Sequence, residues 1–537
     1  MSTSVEDARQ PEPVDTTGRL DGASKFRIFA VLALIVLFTE VAPLQYVMVS
    51  AAVRDIAPTF PAQGANVNWI VIIFGVIGAA ASPLLGKMSD IWGKKLIFLA
   101  CGVLSVIGCV ICALTSNWWL FLIGRGLQAT AIATTVISYG LIRDLMPRKY
   151  VPIGLGISAT GLGFAAVAGP LIGGFVVDTF DWRAIFWFVF AFTLIMLPLV
   201  AAFVPESKLR TPQRLDVLGA VLLAAGATLT LIYLDKGQEW HWLKPSSLAW
   251  LVVGLLLLVL FPIVESRVKN PIIDIKLLAA PRVSLVLGIA LLASFMIGFH
   301  AYAVGYMTQT PSAEETKGMV TQGVLQQAQE QFGMKLPPEA VQVTLDPVYT
   351  YGDGFSLFQF ATHVSLVQSI IGMIVGFLAG LWIRRSGARL PLITALTVMV
   401  LCAIAFAVTD HGWVAIAVVS AVYGVAFGMY YASTPNLIVE GVPAEQQGVS
   451  AGMLGVMQSM GTAIGLAVGT AFLSANPIHA DIAVMGKHQA TEKLDSLFGD
   501  KGYELGFYFA AGAAVVALVG ALVMKHGRTA ATGGTAH

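Results

Sequence analysis

Long apolar runs separated by short polar segments recur from residue 28 to residue 525. All are about 18 residues or longer, the length that an α-helix needs to cross a bilayer. They predict fourteen membrane-spanning helices, spans 1 to 14 in chain order: 28–53, 67–86, 96–115, 118–142, 152–178, 182–203, 217–235, 248–265, 283–307, 356–383, 389–408, 413–439, 448–474 and 503–525. The pattern therefore indicates an all-α membrane protein whose two chain ends lie on the same side.

The positions of the basic residues indicate which side that is. Of 32 Lys and Arg residues, 22 lie in the tails or in the loops after spans 2, 4, 6, 8 and 10, and nine lie in the opposite loops. Basic residues accumulate in cytoplasmic loops. We therefore predict a multi-pass protein of the cytoplasmic (inner) membrane with cytoplasmic tails at residues 1–27 and 526–537.

Composition and motifs exclude several classes of function. The chain is 57% apolar and 12% charged with a net charge of +1, and it has no basic patch of the kind that binds nucleic acid. It has no G-x-x-x-x-G-K-[ST] loop, which argues against ATP as the energy source. Its eight His form no H-x-x-x-H, and Cys101, Cys109, Cys112 and Cys402 lie in apolar runs as small packing residues. We predict no enzyme activity, no metal and no cofactor.

Two predicted cytoplasmic hairpins, "GKMSDIWGKK" and "GLWIRRSGAR", share one pattern. Each has Gly, a charged residue four positions on, Gly at +7 and a basic residue at +9: Gly86, Asp90, Gly93 and Lys95 against Gly380, Arg384, Gly387 and Arg389. A solvated positive-inside hairpin would explain the Lys and Arg residues but not the Gly and Asp spacing. The repeat indicates the internal duplication that many transporters have. We predict that conformational gating depends on these residues: Gly86, Asp90, Gly93, Lys94 and Arg384.

The first hairpin resembles the signature loop of the major facilitator superfamily. "GRGLQAT", with Arg125, resembles that superfamily's buried-arginine motif. "GLGFAAVAGPLIGG" in span 5 resembles its antiporter motif through these residues: Gly161, Gly169, Pro170, Gly173 and Gly174. Small residues allow close helix contact, and Pro170 frees a backbone carbonyl, which gives a bendable seam. The resemblance therefore implies a part in conformational gating for Gly161, Gly169, Pro170 and Gly173. A plain structural kink at Pro170 is the alternative interpretation.

Further strings resemble the fourteen-helix drug:proton antiporter family, in order over about residues 28 to 475: "DWRAIFW", "VPES", "LDVLGA" and "VESRVKNPIIDIKLL". The resemblance implies six-helix bundles at 28–203 and 281–525, joined by a linker at 204–280 that inserts spans 7 and 8. The antiporter motif implies export rather than uptake. The family's usual Asp in span 1 is absent, and Gln45 stands at its position. Gln45 and Arg125 both lie roughly 10–12 Å below the outer membrane surface, where they can face each other.

Glu40 is the one acidic or basic residue of the stretch 33–53 and lies close to the membrane midplane. A lone charge there costs at least roughly 2.5–3.5 kcal/mol, so such an acid usually faces a cavity or a partner. Pro43 removes the hydrogen bond to Thr39, which predicts a distorted helix beside the acid. Our hypothesis is that Glu40, with Arg125, takes up and releases the coupling proton. The alternative is a static carboxyl bonded to Arg125 or to a hydroxyl group.

Aromatic and polar residues of the second half are candidates for a substrate cavity. In span 9, Phe295, Phe299, Tyr302 and Tyr306 recur at helical spacing beside His300. The other candidates are Gln45, His363, Gln368 and Tyr430. Such a lining suits an amphiphilic solute that is held by few hydrogen bonds. The alternatives are an aromatic stripe that serves packing or the interfacial belt, and histidines that are simply packed.

The long loop at 308–354 belongs on the extracytoplasmic side. Apolar residues of "MVTQGVLQQAQEQF" have helical spacing, and "KLPPEAVQVTLDPVYT" follows as a turn and a short extended segment. We predict a small ordered cap that guides solute release or meets an envelope partner.

Together these features favour a proton-coupled secondary exporter of drugs or lipophilic metabolites. It would be a monomer that works by rocker-switch alternating access, with protons, a small-molecule substrate and the lipid bilayer as its partners. The alternatives are a proton-coupled importer of a small metabolite and an exporter of a siderophore or lipid. A polytopic enzyme or a sensor would need features that the sequence does not show.

Overall fold

The computed structural model describes residues 19–63, 69–210, 216–237, 240–268, 280–333, 336–409, 412–442 and 447–530. Parts of both predicted tails and of the predicted linker lie outside these residues. The longer helices before the linker are α1 Lys25–Thr39, α2 Val41–Ala51, α4 Trp69–Trp92, α5 Lys94–Leu114, α6 Trp118–Ala129, α7 Ile132–Leu145, α8 Val151–Thr179 and α9 Arg183–Phe203; α3 is the single turn Val53–Ile56.

The remaining helices are α10 Val217–Lys236, α11 Pro245–Glu265, α12 Pro281–Gln309, α13 Ala313–Phe332, α14 Leu357–Phe360, α15 Leu366–Ser386, α16 Arg389–Val408, α17 Trp413–Gly441, α18 Gln447–Ser474 and α19 Asp500–Val523. The N-termini of several of these helices are capped by side chains. The Asn117 side chain accepts a hydrogen bond from the Leu120 N–H at 3.1 Å, and Asp216 accepts one from the Gly219 N–H at 3.0 Å. Such caps pair amide groups that the first turn of a helix leaves open.

Eleven helices of the described chain are long and apolar enough to cross a membrane. They begin at residues 25, 94, 118, 183, 245, 281, 358, 389, 413, 450 and 500. Predicted spans 2, 5 and 7 fall on α4, α8 and α10, which are not among these eleven. The helical architecture of the membrane part is confirmed, whereas the number fourteen stays a prediction.

The helices form two bundles with two seams between them. The N bundle contains α1 to α9, and the C bundle contains α12 and α14 to α19. The bundles meet where α4 packs against α18 and where α8 packs against α15. Helices α10 and α11 pack together, and α10 also contacts α4 and α18. The side that carries the α4–α5 and α15–α16 hairpins is called the hairpin side here.

Three predicted spans are interrupted. Span 1 breaks at Glu40, between α1 and α2. Span 4 breaks at Thr130 and Ala131, between α6 and α7. Span 10 contains a π-helical segment, Ala361–Ser365, between α14 and α15. The distortion expected beside Glu40 is therefore confirmed.

A small domain, which we call the cap, stands on the other side of the molecule. It consists of α13 and an antiparallel sheet with the strand order β1 (Val341–Asp346), β2 (Pro477–Val484) and β3 (Lys487–Phe498). Val341 pairs with Val484, and His479 pairs with Lys493. The predicted helix and extended segment of the 308–354 loop are confirmed as α13 and β1. The loop between spans 13 and 14 supplies the other two strands, which our sequence analysis did not anticipate.

Candidate functional site

Glu40 lies at the break in span 1 and is 1% exposed. Its backbone N–H donates to the Leu37 carbonyl at 3.2 Å, and its own carbonyl accepts from the Leu44 N–H at 3.0 Å. The carboxyl lies against the backbone of Ala165 in α8, and its Oε2 has no hydrogen-bond partner among the described residues. A buried carboxylate costs free energy unless it is paired. The Glu40 carboxyl therefore lies against α8, the helix that carries the Gly-Pro motif. It is inaccessible to water in this conformation.

Arg125 of α6 is completely buried, and the described contacts do not join it to Glu40. Its Nε donates to the Ile70 carbonyl at 2.9 Å, and its Nη1 donates to the side chain of Gln128. The guanidinium also lies 4.7 Å from the centre of the Phe74 ring. The predicted alternative, a static Glu40–Arg125 pair, is not what this conformation shows.

A chain of polar contacts connects Arg125 with Gln45, which our sequence analysis placed at the same depth. The Gln45 amide donates to Ser105 at 3.4 Å, and the Ser105 hydroxyl is hydrogen-bonded to Cys109. Gln128 donates to the Cys109 sulfur at 3.6 Å and accepts from Arg125. The two predicted residues are therefore linked through α5 instead of touching.

A second polar group, the tyrosine cluster, lies between the bundles: Tyr139, Ser294, Tyr430, Tyr431 and Gln458. The Tyr430 hydroxyl is 3.1 Å from the Ser294 hydroxyl and accepts from the Gln458 amide at 3.3 Å. Tyr139 of the N bundle lies within electrostatic range of Tyr430 and Tyr431. Tyr430 is about 16 Å from the end of α17 at 1.5 Å per residue, which is close to midspan. Of these residues, only Tyr430 was a predicted site residue.

Phe295 and Phe299 of the predicted aromatic stripe pack inside the C bundle, which favours the packing alternative for this part of the stripe. Phe295 stacks on Phe509 at 5.6 Å, and Phe299 meets Phe507 at 4.9 Å. Phe299 is only 1% exposed. Because α12 turns this face toward α19, these rings fill the bundle and do not line a cavity. Farther along the same helix, Tyr302 and Tyr306 stack on each other at 5.2 Å, and Tyr306 also reaches Phe498 of β3.

The two candidate histidines also lie apart from the tyrosine cluster. His300 is buried between Tyr423 and Phe406, at ring distances of 4.2 and 5.2 Å. His363 is exposed in the π-helical segment, 5.3 Å from Trp413. Both histidines therefore fit the alternative interpretation of packed or interfacial rings better than a role in one shared substrate site.

Gln368 of α15 lies at a close helix crossing. A Cβ atom on Gly424 of α17 would collide with the Gln368 backbone carbonyl. The position of Gln368 therefore reflects packing between two helices of the C bundle, and its predicted part in substrate binding stays a prediction.

The signature hairpin holds a buried ion network. Lys94 Nζ lies 3.0 Å from Asp90 and 3.1 Å from Asp144, which is fully buried. Asp144 also contacts Arg143 at 3.1 Å and accepts from the Ser207 hydroxyl at 2.6 Å. This network joins α4, α5, α7 and the segment after α9, whereas Gly86 lies buried within α4. Asp90 and Lys94, two of the predicted gating residues, are thus brought together.

The Gly-Pro motif residues of span 5 lie along α8. A Cβ on Gly169 would lie 2.7 Å from Val47 Cγ1, and one on Gly173 would lie 3.5 Å from Met48 Cα. Gly161 also lies in α8, which continues unbroken past Pro170. The small residues therefore allow α8 to pack closely on α2, the helix that begins directly after Glu40.

Comparisons with known proteins place these features in context. A family model described as the Major Facilitator Superfamily matches residues 30–466 and 343–535. The uncharacterized MFS-type transporter YvkA of Bacillus subtilis is 29% identical over 46% of this chain, and the match spans 55% of YvkA. The multidrug resistance protein Stp of Mycobacterium tuberculosis is 23% identical over 80% of this chain and 73% of Stp. The crystal structure of the human organic anion transporter MFSD10 has a TM-score of 0.59 at 16% identity and covers 92% of this chain and 99% of MFSD10.

Proposed function

The chain belongs to the Major Facilitator Superfamily, and we propose that it is a proton-coupled exporter of amphiphilic or hydrophobic small molecules. It is a membrane transporter and not an enzyme. We propose fourteen spans, with α4, α8 and α10 added to the eleven apolar helices. We further propose an inner-membrane monomer with cytoplasmic termini that uses the proton gradient and no cofactor.

The observation that carries the proton step is the position of Glu40. Its carboxyl is buried at a helix break, with one oxygen unbonded among the described residues, and it lies against α8. Helix α8 also forms one of the two seams between the bundles. When the bundles tilt, a movement of α8 changes the surroundings of the carboxyl, so that the acid can meet water on one side and be sealed in the other state. Proton exchange requires an acid that is sealed in one conformation and reaches water in another. Burial of Glu40 and movement of the seam together supply these two states.

The tyrosine cluster supports an amphiphilic substrate. It offers hydroxyl groups, an amide and aromatic rings, and none of its side chains is charged. Such groups hold a solute through apolar contact and a few hydrogen bonds. The name of Stp, a multidrug resistance protein, supports drug-like solutes. Arg125 and its chain of contacts to Gln45 complete the N-bundle side of the proposed coupling machinery.

The proton step is tested in proteoliposomes with an imposed pH gradient and a panel of lipophilic dyes. We expect Glu40→Gln to abolish gradient-driven transport while downhill exchange continues, because an amide cannot carry the proton. The exposed cap residue Glu314 offers a matched control, and Glu314→Gln should transport like the wild type. Gradient-driven accumulation that persists in Glu40→Gln would exclude this role.

The substrate site is tested by removing one hydroxyl. Tyr430→Phe removes the hydroxyl that we propose hydrogen-bonds the solute, so the KM for transport should rise about 2–10-fold, as for the loss of a hydrogen bond worth about 0.5–1.5 kcal/mol. The control is Tyr508→Phe, because Tyr508 is 47% exposed. An equal KM in the two variants would remove the tyrosine cluster from the substrate site.

A further inference from the structure

Lys87 is buried where α4 approaches the hairpin side, although a lysine near a helix end ordinarily extends to water. Its side chain is 2% exposed. Two carboxyl groups act on it electrostatically, those of Glu265 and Asp216. Asp216 caps α10, and Glu265 is the last residue of α11. One cation of the signature hairpin thus interacts electrostatically with a carboxyl group from each member of the inserted helix pair, α10 and α11.

The two carboxyl groups share a space that exists because residue 219 is glycine. A Cβ atom there would lie 2.8 Å from Asp216 Oδ2 and would collide with Glu265 Oε1. Glu265 is 1% exposed and Asp216 is 9% exposed. Carboxylates buried so close together require a compensating cation, and Lys87 supplies it. We call Lys87, Asp216 and Glu265 the ion cluster.

The inserted pair is attached to both bundles by different means. Leu222 and Leu223 of α10 and Phe261 of α11 belong to the hydrophobic core of the C bundle. The ion cluster attaches the same two helices to α4 of the N bundle. Helix α10 also contacts both α4 and α18, the two helices of one seam.

The hairpin side is closed in this conformation. A Cβ on Gly156 of α8 would lie 2.7 Å from the Gly376 carbonyl of α15, so the backbones touch at one seam. At the other seam, Ala451 of α18 is 3% exposed and packs in the core of the N bundle. Opening the hairpin side parts α4 from α18, and α10 cannot remain fixed to both.

We propose that the ion cluster is a latch that fastens the inserted pair across the α4–α18 seam and holds the hairpin side closed. Apolar contacts can slide with little directional preference, whereas a buried ion cluster fits one geometry. Opening therefore requires Lys87 to leave its two carboxylates. This inference rests on the alternating access of the proposed function, but it assumes nothing about the substrate or the proton.

The test measures how fast a water-soluble maleimide labels Ala451→Cys in the full-length protein in lipid nanodiscs. The four native cysteines are buried, so they contribute little background. We expect Lys87→Met to raise the labelling rate on the order of tenfold, because the open population grows once the latch is lost. Lys95→Met is the matched control, since it removes a charge from the same hairpin outside the ion cluster.

A second variant keeps the test decisive if Lys87→Met does not fold. The combination Lys87→Met, Asp216→Asn and Glu265→Gln removes the charges together and leaves no buried charge unpaired, and it should also label faster than the wild type. Wild-type labelling in either folded variant, or equal acceleration by Lys95→Met, overturns the latch. Labelling needs neither substrate nor gradient, so its result is independent of whether the proteoliposome assay finds export.

Discussion

The hairpin between α4 and α5 and its repeat between α15 and α16 make the same turn with different charges. Gly93 and Gly387 both have positive φ angles, +124° and +83°, which favour glycine. At the ninth position of the pattern, Lys95 Nζ donates to the Ala201 carbonyl at 2.6 Å, and Arg389 donates to the Leu522 carbonyl at 2.6 Å. Each basic residue thus binds the C-terminal turn of the last helix in its own bundle.

The charged residue at the fourth position separates the two hairpins. Asp90 joins a buried network with Lys94 and Asp144, whereas Arg384 is half-buried in the last turn of α15. A cation in that turn is favoured by the helix dipole and needs no carboxylate. The glycines and the basic residue therefore build the turn in both hairpins, whereas among the described residues the buried ion network is found at the N-bundle hairpin. We infer that conformational control is concentrated on the N-bundle hairpin.

The largest difference between the hairpins should follow from removing Asp144. Because Asp144→Ala leaves Lys94 buried without one of its carboxylates, we expect the free energy of unfolding to fall by about 3–5 kcal/mol. Arg384→Ala, the control in the repeat, should cost at most about 1 kcal/mol, as partly exposed ions do. Unfolding of both variants in the same detergent measures the contrast. Equal losses in the free energy of unfolding would show that ionic contacts stabilise the two hairpins to the same extent.

The second prediction concerns the first glycine of the repeat. A Cβ on Gly380 would lie 2.8 Å from the Pro152 carbonyl and 3.1 Å from Ile153 Cα. Gly380→Ala should therefore force α8 and α15 apart on the hairpin side, at a cost of about 1–3 kcal/mol for overpacking. We expect slower transport and faster maleimide labelling of Ala451→Cys.

Gly512 of α19 provides the control for that substitution, because a Cβ there would meet no atom of the described residues within 4 Å. Gly512→Ala should transport and label like the wild type. If Gly380→Ala behaves the same way, the contact between α8 and α15 does not limit closure of the hairpin side.

The sequence predicted the features that depend on local physics. Apolar length predicted the helices, and Pro43 predicted the break at Glu40. The Gly-Asp spacing singled out Asp90 but did not predict the buried network that joins it to Lys94 and Asp144. We also did not predict β2 and β3, although "PIHADIAV" and "KHQATEKL" flank Met485-Gly486, a dipeptide with two positive φ angles. Two-residue turns of that kind join antiparallel strands. The signal was present, but the expectation of a purely helical chain outweighed it.

Contacts between helices could not be predicted from the sequence either. The spacing of Phe295 and Phe299 defined a helix face, but it could not show that the face turns toward Phe507 and Phe509 of α19. Similarly, Ser294 and Gln458 are ordinary residues in apolar runs, and only packing against Tyr430 brings them into one cluster. A helix pattern gives the direction of a side chain about its own axis, whereas the neighbour on that side depends on the whole bundle.

The smallest predicted effect concerns what the hairpins share. Lys95 and Arg389 both bind carbonyl groups at a helix C-terminus, where a cation stabilises a partly exposed site by about 0.3–1 kcal/mol. Lys95→Gln and Arg389→Gln should therefore lower the free energy of unfolding by similar, small amounts within that range. Added salt should shrink both losses, because exposed charges are screened. Unfolding titrations at low and high salt measure this, and a loss several times larger for Lys95→Gln would mean that the N-bundle hairpin uses even its turn-building residue for the buried network.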